Sequence, residues 1–519
     1  MELIKKNIHM EQTKCRGTSQ LTLEEDVNIS DQKPDAARLI SEKGNIVIEE
    51  LRPQTDYVTV KGALEYAALY LTDEKTRYPQ CLEGKISFEE KIYLEGVGAT
   101  DSVQIKTELE DLSLSLINSR KLSVRALVDM EVFVSELYDE EAIVEIVNAP
   151  DIEIRKIPMS VTTLAVDTRD IFRIKEEVEL ANGMPNFFEL LWKDIRVQGM
   201  EIKPGQDKLQ ITGELAIFFL YEGEGEDRPV RYYEITRPIS GAVNVAGCHE
   251  SMIPDISYEI EHEDIEIHPD LDGEERILQI DLALSMTIRL METQEIGAIT
   301  DVYGITQDIE PVRKEGCCRS LLQRATGKLK LSDTLKVGSQ NPHILQICHV
   351  NGTLLSKQHE INENGVDLSG LMLVKALYVT GDDEYPFACV NGSIPYHYHL
   401  DVPGIHEECS IRVLSQIDQL GGTMVDGEEM EIKAVLSFYV MVFEGERESI
   451  LSDVAVLEPD KERKEQSPAM VLYIARENDS IWNLGKKYNV SLNAIREINH
   501  LSQDELQAGD KILVVKEMI

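Results

Sequence analysis

Basic residues are scarce in this chain of 519 residues. It has 52 Lys and Arg residues against 94 Asp and Glu residues, which gives a formal net charge of −42 at pH 7. So large an acidic excess repels the phosphate backbone of nucleic acids and the anionic surface of lipid bilayers. Nucleic acid is therefore an unfavourable partner for this protein.

Long apolar runs are also missing. No stretch approaches the roughly 18 consecutive apolar residues of a membrane-spanning helix, so we expect no direct membrane insertion. The first residues, MELIKKNIHMEQTKCRG, have neither an apolar segment of signal-peptide length nor a small-residue cleavage site. The eight cysteines are too few for a dense disulfide framework. These features predict a cytosolic protein with reduced, mostly buried thiols.

Catalytic and metal-binding signatures are absent as well. The sequence contains no G-x-S-x-G, H-E-x-x-H, P-loop or C-x-x-C pattern, through which nucleophiles, phosphate cradles and zinc sites are usually visible. The only arrangement worth testing for metal is YHYHL, in which His397 and His399 lie on one face of a strand, but two ligands do not make a site. We therefore predict no enzyme, no cofactor and no metal site.

What the sequence does contain is a threefold internal repeat. In each copy a glycine stands 28 residues after a proline, and a tyrosine follows eight residues later. Matching landmarks in register indicate duplication of one structural unit. The landmarks are Pro34, Gly62 and Tyr70, then Pro185, Gly213 and Tyr221, then Pro342, Gly370 and Tyr378. We expect the tyrosines to be packing residues, and each glycine to mark a β-bulge or a close backbone approach.

Long segments of alternating apolar residues predict a mainly β fold. KLSVRALVDMEVFV, ILQIDLALSMTIRL and MEIKAVLSFYVMV close the three copies, and their period of two is typical of half-buried strands. Strands without intervening long helices favour a sandwich or a barrel. The short apolar run after each repeated proline predicts one short helix per unit, because proline is favoured in the first helical turn. The predicted units span residues 1–150, 151–303 and 304–457.

A different pattern begins after the charged stretch 458–468, which we interpret as a linker. Residues 469–519 predict the order β-α-α-β, with a strand at VLYIA, two short helices and a strand at KILVV. From Met470 onward there are six Lys or Arg and seven Asp or Glu residues, so this end is nearly neutral and about −41 of the charge lies upstream.

Residues 472–515 resemble a LysM domain, through Tyr473, Asn478-Asp479-Ser480, Ile481-Trp482, Tyr488, Asn499 and Gly509. The family usually has glycine where this chain has Asn478, and asparagine also tolerates a positive φ. LysM domains bind N-acetylated glycans in a groove between two loops. The resemblance implies a partner-binding groove formed by Asn478, Asp479, Ser480, Ile481 and Trp482 on one side, and Ser502, Gln503, Asp504, Glu505 and Leu506 on the other.

Trp482 lies one position off the apolar stripe of its helix, so its indole is expected to be partly exposed beside the groove. An exposed aromatic ring is a stacking face for a sugar and equally a hot spot for a protein partner. The alternative is a tryptophan packed along the edge of the domain.

Three acidic β units followed by a LysM domain resemble the clostridial spore-coat morphogenetic proteins of the SipL family, which have SPOCS repeats. That resemblance implies a protein of the mother-cell cytoplasm that lies at the forespore surface and binds the coat ATPase SpoIVA, with LysM taking part in the contact. We therefore expect a non-enzymatic scaffold of spore-coat assembly. The alternative is a glycan-binding protein that acts on peptidoglycan at the wall or cortex.

Overall fold

The computed structural model describes residues 1–74, 77–149, 151–225, 227–338, 341–457, 468–501 and 503–516. The first unit contains β1 (Glu2–Asn28), β2 (Ala36–Gln54), β3 (Tyr57–Thr72), β4 (Pro79–Tyr93), β5 (Ser102–Asn118) and β6 (Lys121–Val147). The second contains β7 (Ile152–Glu179), β8 (Phe187–Gly205), β9 (Lys208–Gly223), β10 (Val230–Asn244), β11 (Ile253–Pro269) and β12 (Glu275–Gly304). The third contains β13 (Asp308–Lys336), β14 (Ile344–Asn362), β15 (Gly365–Thr380), β16 (Phe387–Asp401), β17 (Ser410–Met424) and β18 (Glu429–Leu457).

Every unit has the same topology of two three-stranded antiparallel sheets. The strand orders are β2-β3-β4 with β1-β6-β5, β8-β9-β10 with β7-β12-β11, and β14-β15-β16 with β13-β18-β17. In each unit, the apolar side chains of the two sheets form one shared core. The predicted mainly β fold of three repeated units is confirmed, and its form is a sandwich.

The short helix predicted after each repeated proline is wrong. These apolar runs begin the edge strands β2, β8 and β14. In β8, Phe187 is buried whereas its neighbour Phe188 is half exposed, which is the alternation of a strand. A helix of five residues is marginal alone, whereas pairing with the adjacent strand satisfies the same backbone groups. Among the described residues both α-helices lie in the C-terminal module.

A hydrogen bond joins two of the repeated landmarks in every unit. The tyrosine hydroxyl donates to the proline carbonyl 36 residues earlier, at 3.1 to 3.2 Å: Tyr70 to Pro34, Tyr221 to Pro185 and Tyr378 to Pro342. All three tyrosines are fully buried. The prediction that they serve packing is confirmed, and the hydroxyl also ties the start of an edge strand to the central strand of its sheet.

The repeated glycines lie beside β-bulges in the neighbouring edge strands, as predicted. A Cβ atom at Gly62 would lie 2.6 Å from the carbonyl oxygen of Val47, and one at Gly370 would lie 2.6 Å from the hydroxyl of Tyr396. Any side chain at these two positions would therefore displace the adjacent strand or a buried ring.

The longest strands continue beyond the sandwiches as two-stranded ribbons. In the first unit, β5 follows β6 only as far as Ser135, whereas β1 follows it to Val147. Equivalent apolar residues of the three ribbons pack together, and so do equivalent residues of the central strands of the three sandwiches. The shared residues are Ile143, Ile299 and Leu451 between the ribbons, and Leu69, Leu220 and Leu377 between the sandwiches. The units therefore pack around a common axis.

The C-terminal module has the predicted order, β19 (Met470–Ile474), α1 (Ile481–Tyr488), α2 (Leu492–Asn499) and β20 (Lys511–Val515). Ser480 caps α1 by accepting a hydrogen bond from the Asn483 amide. Of the linker predicted at 458–468, only Pro468 lies within the described residues. No helix in the described ranges is long and apolar enough to cross a membrane.

Candidate partner-binding site

The two loops predicted to form a groove lie side by side. The Ile481 amide donates to the carbonyl of Asp504 at 2.9 Å, and the Leu506 amide donates to the carbonyl of Asp479 at 3.2 Å. Ser480 and Glu505 form an antiparallel bridge at the same place. Residues more than 20 positions apart thus lie side by side on one surface. Backbone hydrogen bonds join the two loops that form it.

Only part of the predicted set reaches this surface. Asn478, Gln503, Asp504 and Glu505 are exposed, and Asp479 and Ser480 are partly exposed. Ile481 and Leu506 are buried in the core of the module, as the sequence predicted in part for Ile481. Ser502 lies outside the described residues. Asn478 has φ 69°, so it adopts the left-handed conformation that its side chain tolerates.

The carboxylates of the groove already have partners. Asp479 accepts hydrogen bonds from the Arg476 amide at 2.8 Å and the Tyr473 hydroxyl at 2.9 Å, and these two bonds lower its pKa. Asp504 receives two hydrogen bonds from the guanidinium of Arg496, both at 2.9 Å. Asp479 therefore holds the loop together, and Asn478, Gln503 and Glu505 are the polar side chains most available to a ligand.

The expectation that the indole of Trp482 is partly exposed is wrong. Trp482 is only 7% exposed, and its Nε1 donates to Asp301 Oδ2 at 3.0 Å. Its ring also meets that of Tyr303 edge-on, with centroids 5.1 Å apart. Asp301 and Tyr303 belong to β12, so the tryptophan is packed along the domain edge against the second unit.

Asp301 binds side chains from two other parts of the chain. Besides Trp482, it binds Lys486 Nζ of α1 at 2.6 Å and Arg313 Nη2 of β13 at 2.7 Å. Burial alone would raise the pKa of Asp301, but the hydrogen bonds from Lys486 and Trp482 outweigh burial and lower it. The carboxylate is therefore held in its charged form.

Further hydrogen bonds continue this contact along the end of β12. The Tyr303 hydroxyl donates to the Val490 carbonyl at 2.9 Å, and Asn489 Nδ2 donates to the Gly304 carbonyl at 2.7 Å. A Cβ atom at Gly485 would overlap the Tyr303 hydroxyl, so the close approach requires glycine in α1. Tyr303 is 2% exposed and belongs to the apolar core of the C-terminal module. The sequence analysis did not identify Asp301 or Tyr303.

The two-stranded sheet of the module exposes an apolar row. Met470, Leu472 and Ile474 alternate along β19 and are 60%, 63% and 60% exposed. In the antiparallel register, Met470 lies beside Val515 and Leu472 lies beside Leu513, which are both partly exposed. The outer face of this two-stranded sheet is therefore apolar.

His397 and His399 both lie near the carboxylate of Asp367. His399 Nδ1 lies 2.7 Å from Asp367 Oδ1, and His397 Nε2 lies 3.9 Å from the same oxygen. Within the ranges that the structure describes, no group of three or more His, Cys, Asp or Glu side chains could hold a metal ion. The prediction that the protein binds no metal stays a prediction.

The fold and the site define a protein made of three β-sandwich units with a small βααβ recognition module packed on the second unit. Family comparison matches residues 35–117, 188–268 and 343–425 to the SipL SPOCS domain, and residues 473–515 to the LysM domain. The chain therefore carries three SPOCS domains of the SipL type and a C-terminal LysM domain, as the sequence predicted. No curated protein and no solved structure matches it.

These matches define the class of function. SPOCS repeats identify a sporulation-related protein, and LysM is a module of the glycan- or peptidoglycan-binding type. Both are non-catalytic types of module.

Proposed function

We propose that this protein is a non-enzymatic scaffold of spore-coat assembly in the mother-cell cytoplasm. The three SPOCS units form its body, and the LysM domain binds a coat morphogenetic ATPase of the SpoIVA type at the forespore surface. The resemblance to the SipL family supports this partner. Several contacts on one chain raise the effective concentration of partners at a surface, which suits encasement of the forespore.

The observation that carries the proposal is the exposed apolar row of Met470, Leu472 and Ile474. Three neighbouring aliphatic side chains exposed by about 60% are costly in water and are typical of a protein–protein interface. Aliphatic side chains provide no flat ring for stacking on a sugar. Trp482, the only indole of the LysM domain, is buried against the second unit. The apolar row of β19 therefore suits a polypeptide partner better than a glycan.

The exposed groove residues Asn478, Gln503 and Glu505 offer further polar contacts to a partner. Exposed polar side chains of this kind supply hydrogen bonds in protein–protein interfaces. Glu505 adds a negative charge, so a matching basic position on the partner is expected to contribute mainly to the rate of association.

The test is binding of the purified full chain to the SpoIVA-type ATPase, measured by calorimetry. Leu472→Glu should weaken binding at least about tenfold, because it places a charge in the centre of the interface. Leu271→Glu is the matched control, because Leu271 is fully exposed in the second unit. Unchanged binding by Leu472→Glu, with an unchanged CD spectrum, would exclude the apolar row as the docking surface.

Binding to peptidoglycan is the competing function, and the LysM match itself favours it. Cosedimentation of the full chain with purified peptidoglycan tests it directly. A chain that pellets with peptidoglycan and fails to bind the ATPase would overturn the scaffold proposal in favour of a wall or cortex protein.

A further inference from the structure

We propose that Asp301 is the centre of an interdomain latch, formed with Trp482, Lys486 and Tyr303, that fixes the LysM domain in one orientation on the second unit. We infer further that Trp482 supports partner binding by closing this latch and not by touching the partner. This second inference rests on the proposed function, whereas the latch itself does not.

The geometry of Asp301 makes it a specific attachment point. One carboxylate oxygen accepts from the indole Nε1 of Trp482 at 3.0 Å, and the other binds the ammonium of Lys486 at 2.6 Å. Both groups come from the same helix, four residues apart, so they lie on one face of α1. Because charge-assisted hydrogen bonds to a buried carboxylate require defined directions, they fix the orientation of the helix relative to β12.

The residues that receive the LysM domain, Asp301 and Tyr303, both lie on the ribbon of the second unit. At the positions equivalent to Asp301, the other ribbons have Glu145 and Asp453, so an acidic residue occurs in all three. At the position equivalent to Tyr303, the first unit has Val147 and the third has Ala455. Only the second ribbon provides the aromatic ring and hydroxyl that enter the LysM core. Of the three similar ribbon ends, the one in the second unit thus provides the docking position for the LysM domain.

The buried position of Trp482 has a consequence for binding. With the latch closed, an external partner cannot reach its indole, because Asp301 and Tyr303 of the same chain cover it. Two arrangements could still make Trp482 important. Either the partner needs the LysM domain held in its docked orientation, or the partner displaces the latch and takes the indole. These alternatives predict opposite effects when the latch is opened from the Asp301 side.

Trp482 can serve as its own reporter. The chain has two tryptophans, and Trp192→Phe leaves Trp482 as the only one. In that background, Asp301→Ala should shift the emission of Trp482 to longer wavelength and raise its acrylamide quenching several-fold. Lys486→Met opens the latch from the LysM side, and its quenching should rise in the same direction.

Asp453→Ala is the matched control. Asp453 lies at the equivalent position of the third ribbon, and its Oδ1 accepts from the Val454 amide just as Asp301 Oδ1 accepts from the Val302 amide. The control therefore removes the same local hydrogen bond, and Asp453 forms no hydrogen bond or ion pair with the described residues of the LysM domain. Unchanged emission and quenching in Asp301→Ala would overturn the latch. Loss of hydrogen-exchange protection in β19 and β20 of Asp301→Ala would also overturn the latch. It would show that the LysM domain unfolds in this variant instead of being released as a folded domain.

Binding to the SpoIVA-type ATPase tests the second inference with the same variants. A released LysM domain with weakened binding supports orientation by the latch. A released LysM domain with unchanged or tighter ATPase binding overturns the inference that the latch orients the domain. A partner that takes the indole would bind better when the latch is open. If the unmodified chain does not bind the ATPase at all, the proposed function fails, and the quenching experiment still decides whether the latch exists.

Discussion

His349 of the third unit lies 2.6 Å from Asp194 of the second unit, and both side chains are buried. The other ring nitrogen of His349 lies 2.9 Å from Glu234, also of the second unit, and its ring stacks on Phe218 with centroids 4.2 Å apart. Because both nitrogens face carboxylates, these surroundings favour the doubly protonated cation of the imidazole. This charged bridge lies beside the apolar contact between the central strands of the two units.

Replacement of His349 should therefore weaken the contact between the second and third units. His349→Gln removes the closer of two cations beside the buried Asp194, whose other cation is Arg196 at 3.5 Å, and removing one partner of a buried ion pair typically costs about 3 kcal/mol. Chemical denaturation of the full chain measures the loss. His399→Gln is the control, because His399 pairs with Asp367 at an exposed position and its loss should change stability little. Equal effects of the two variants would contradict a special role for the buried bridge.

The same bridge predicts how stability depends on pH. Burial alone would lower the pKa of His349, but hydrogen bonds to Asp194 and Glu234 raise it above its ordinary value of 6.5. The contribution of His349 is thus complete below pH 6.5 and declines as the pH rises through the folded-state pKa. Burial alone would raise the pKa of Asp194, but the hydrogen bond from His349 lowers it below 3.8, so its contribution declines only as the pH falls through that lowered value.

Thermal melting of the unmodified chain between about pH 6 and pH 9 should accordingly show a loss of stability on the alkaline side. The His349→Gln variant should lose less over the same range, because it has no imidazolium to deprotonate. Parallel curves for the two proteins would show that His349 does not carry the pH dependence.

The hydrogen bond from the tyrosine hydroxyl to the proline carbonyl in each unit predicts a smaller, local effect on stability. Tyr221→Phe keeps the buried ring and removes only the donor to the Pro185 carbonyl, so it should cost about 1 kcal/mol of unfolding free energy. Tyr93→Phe is the matched control, since Tyr93 is 80% exposed, and it should stay within about 0.5 kcal/mol of the unmodified chain. An unchanged unfolding free energy in Tyr221→Phe would mean that water replaces the hydroxyl as the donor to the Pro185 carbonyl.

The repeated glycines predict a steric cost. Gly62→Ala places a methyl group against the Val47 carbonyl and the ring of Phe88, so the edge strand or the core must shift, at about 1–3 kcal/mol. Gly421→Ala is the control, because Gly421 also lies in a strand but has no neighbouring atom within 4 Å of the added Cβ position. Chemical denaturation compares them. Similar costs for both would indicate a general effect of glycine on strands.

Sequence predicted the features that are repeated or periodic. The alternation of apolar residues gave the β class, and the spacing of Pro, Gly and Tyr corresponds to real contacts between neighbouring strands. The short helices were wrongly predicted because a proline followed by an apolar run fits a first helical turn and the start of an edge strand equally well. Pairing with a distant strand decides between them, and the local sequence does not contain that information.

The position of Trp482 was missed for a related reason. A position one step off the helical stripe predicts partial exposure in an isolated module. The surface that covers it comes from Asp301 and Tyr303, about 180 residues earlier. One available signal was the tyrosine at 303, where the equivalent positions of the other repeats carry Val147 and Ala455. A bulky aromatic residue in one copy of a repeat indicates a contact that only that copy makes.

Acid should release the LysM domain before the sandwiches unfold. The hydrogen bonds from Lys486 and Trp482 lower the pKa of Asp301 below its ordinary value of 3.8, even though burial opposes this. A carboxyl group with a lowered pKa contributes stability above its unfolded value and loses it as the pH falls through the folded one. The emission of Trp482 in the Trp192→Phe background should therefore be constant from pH 7 to about pH 4.5 and shift to longer wavelength below that. Asp301→Asn cannot titrate, so its emission should change only together with the far-UV CD signal of global unfolding. A shift in the unmodified chain centred above about pH 5 would point to a different titrating group, since no lowered carboxyl pKa could produce it.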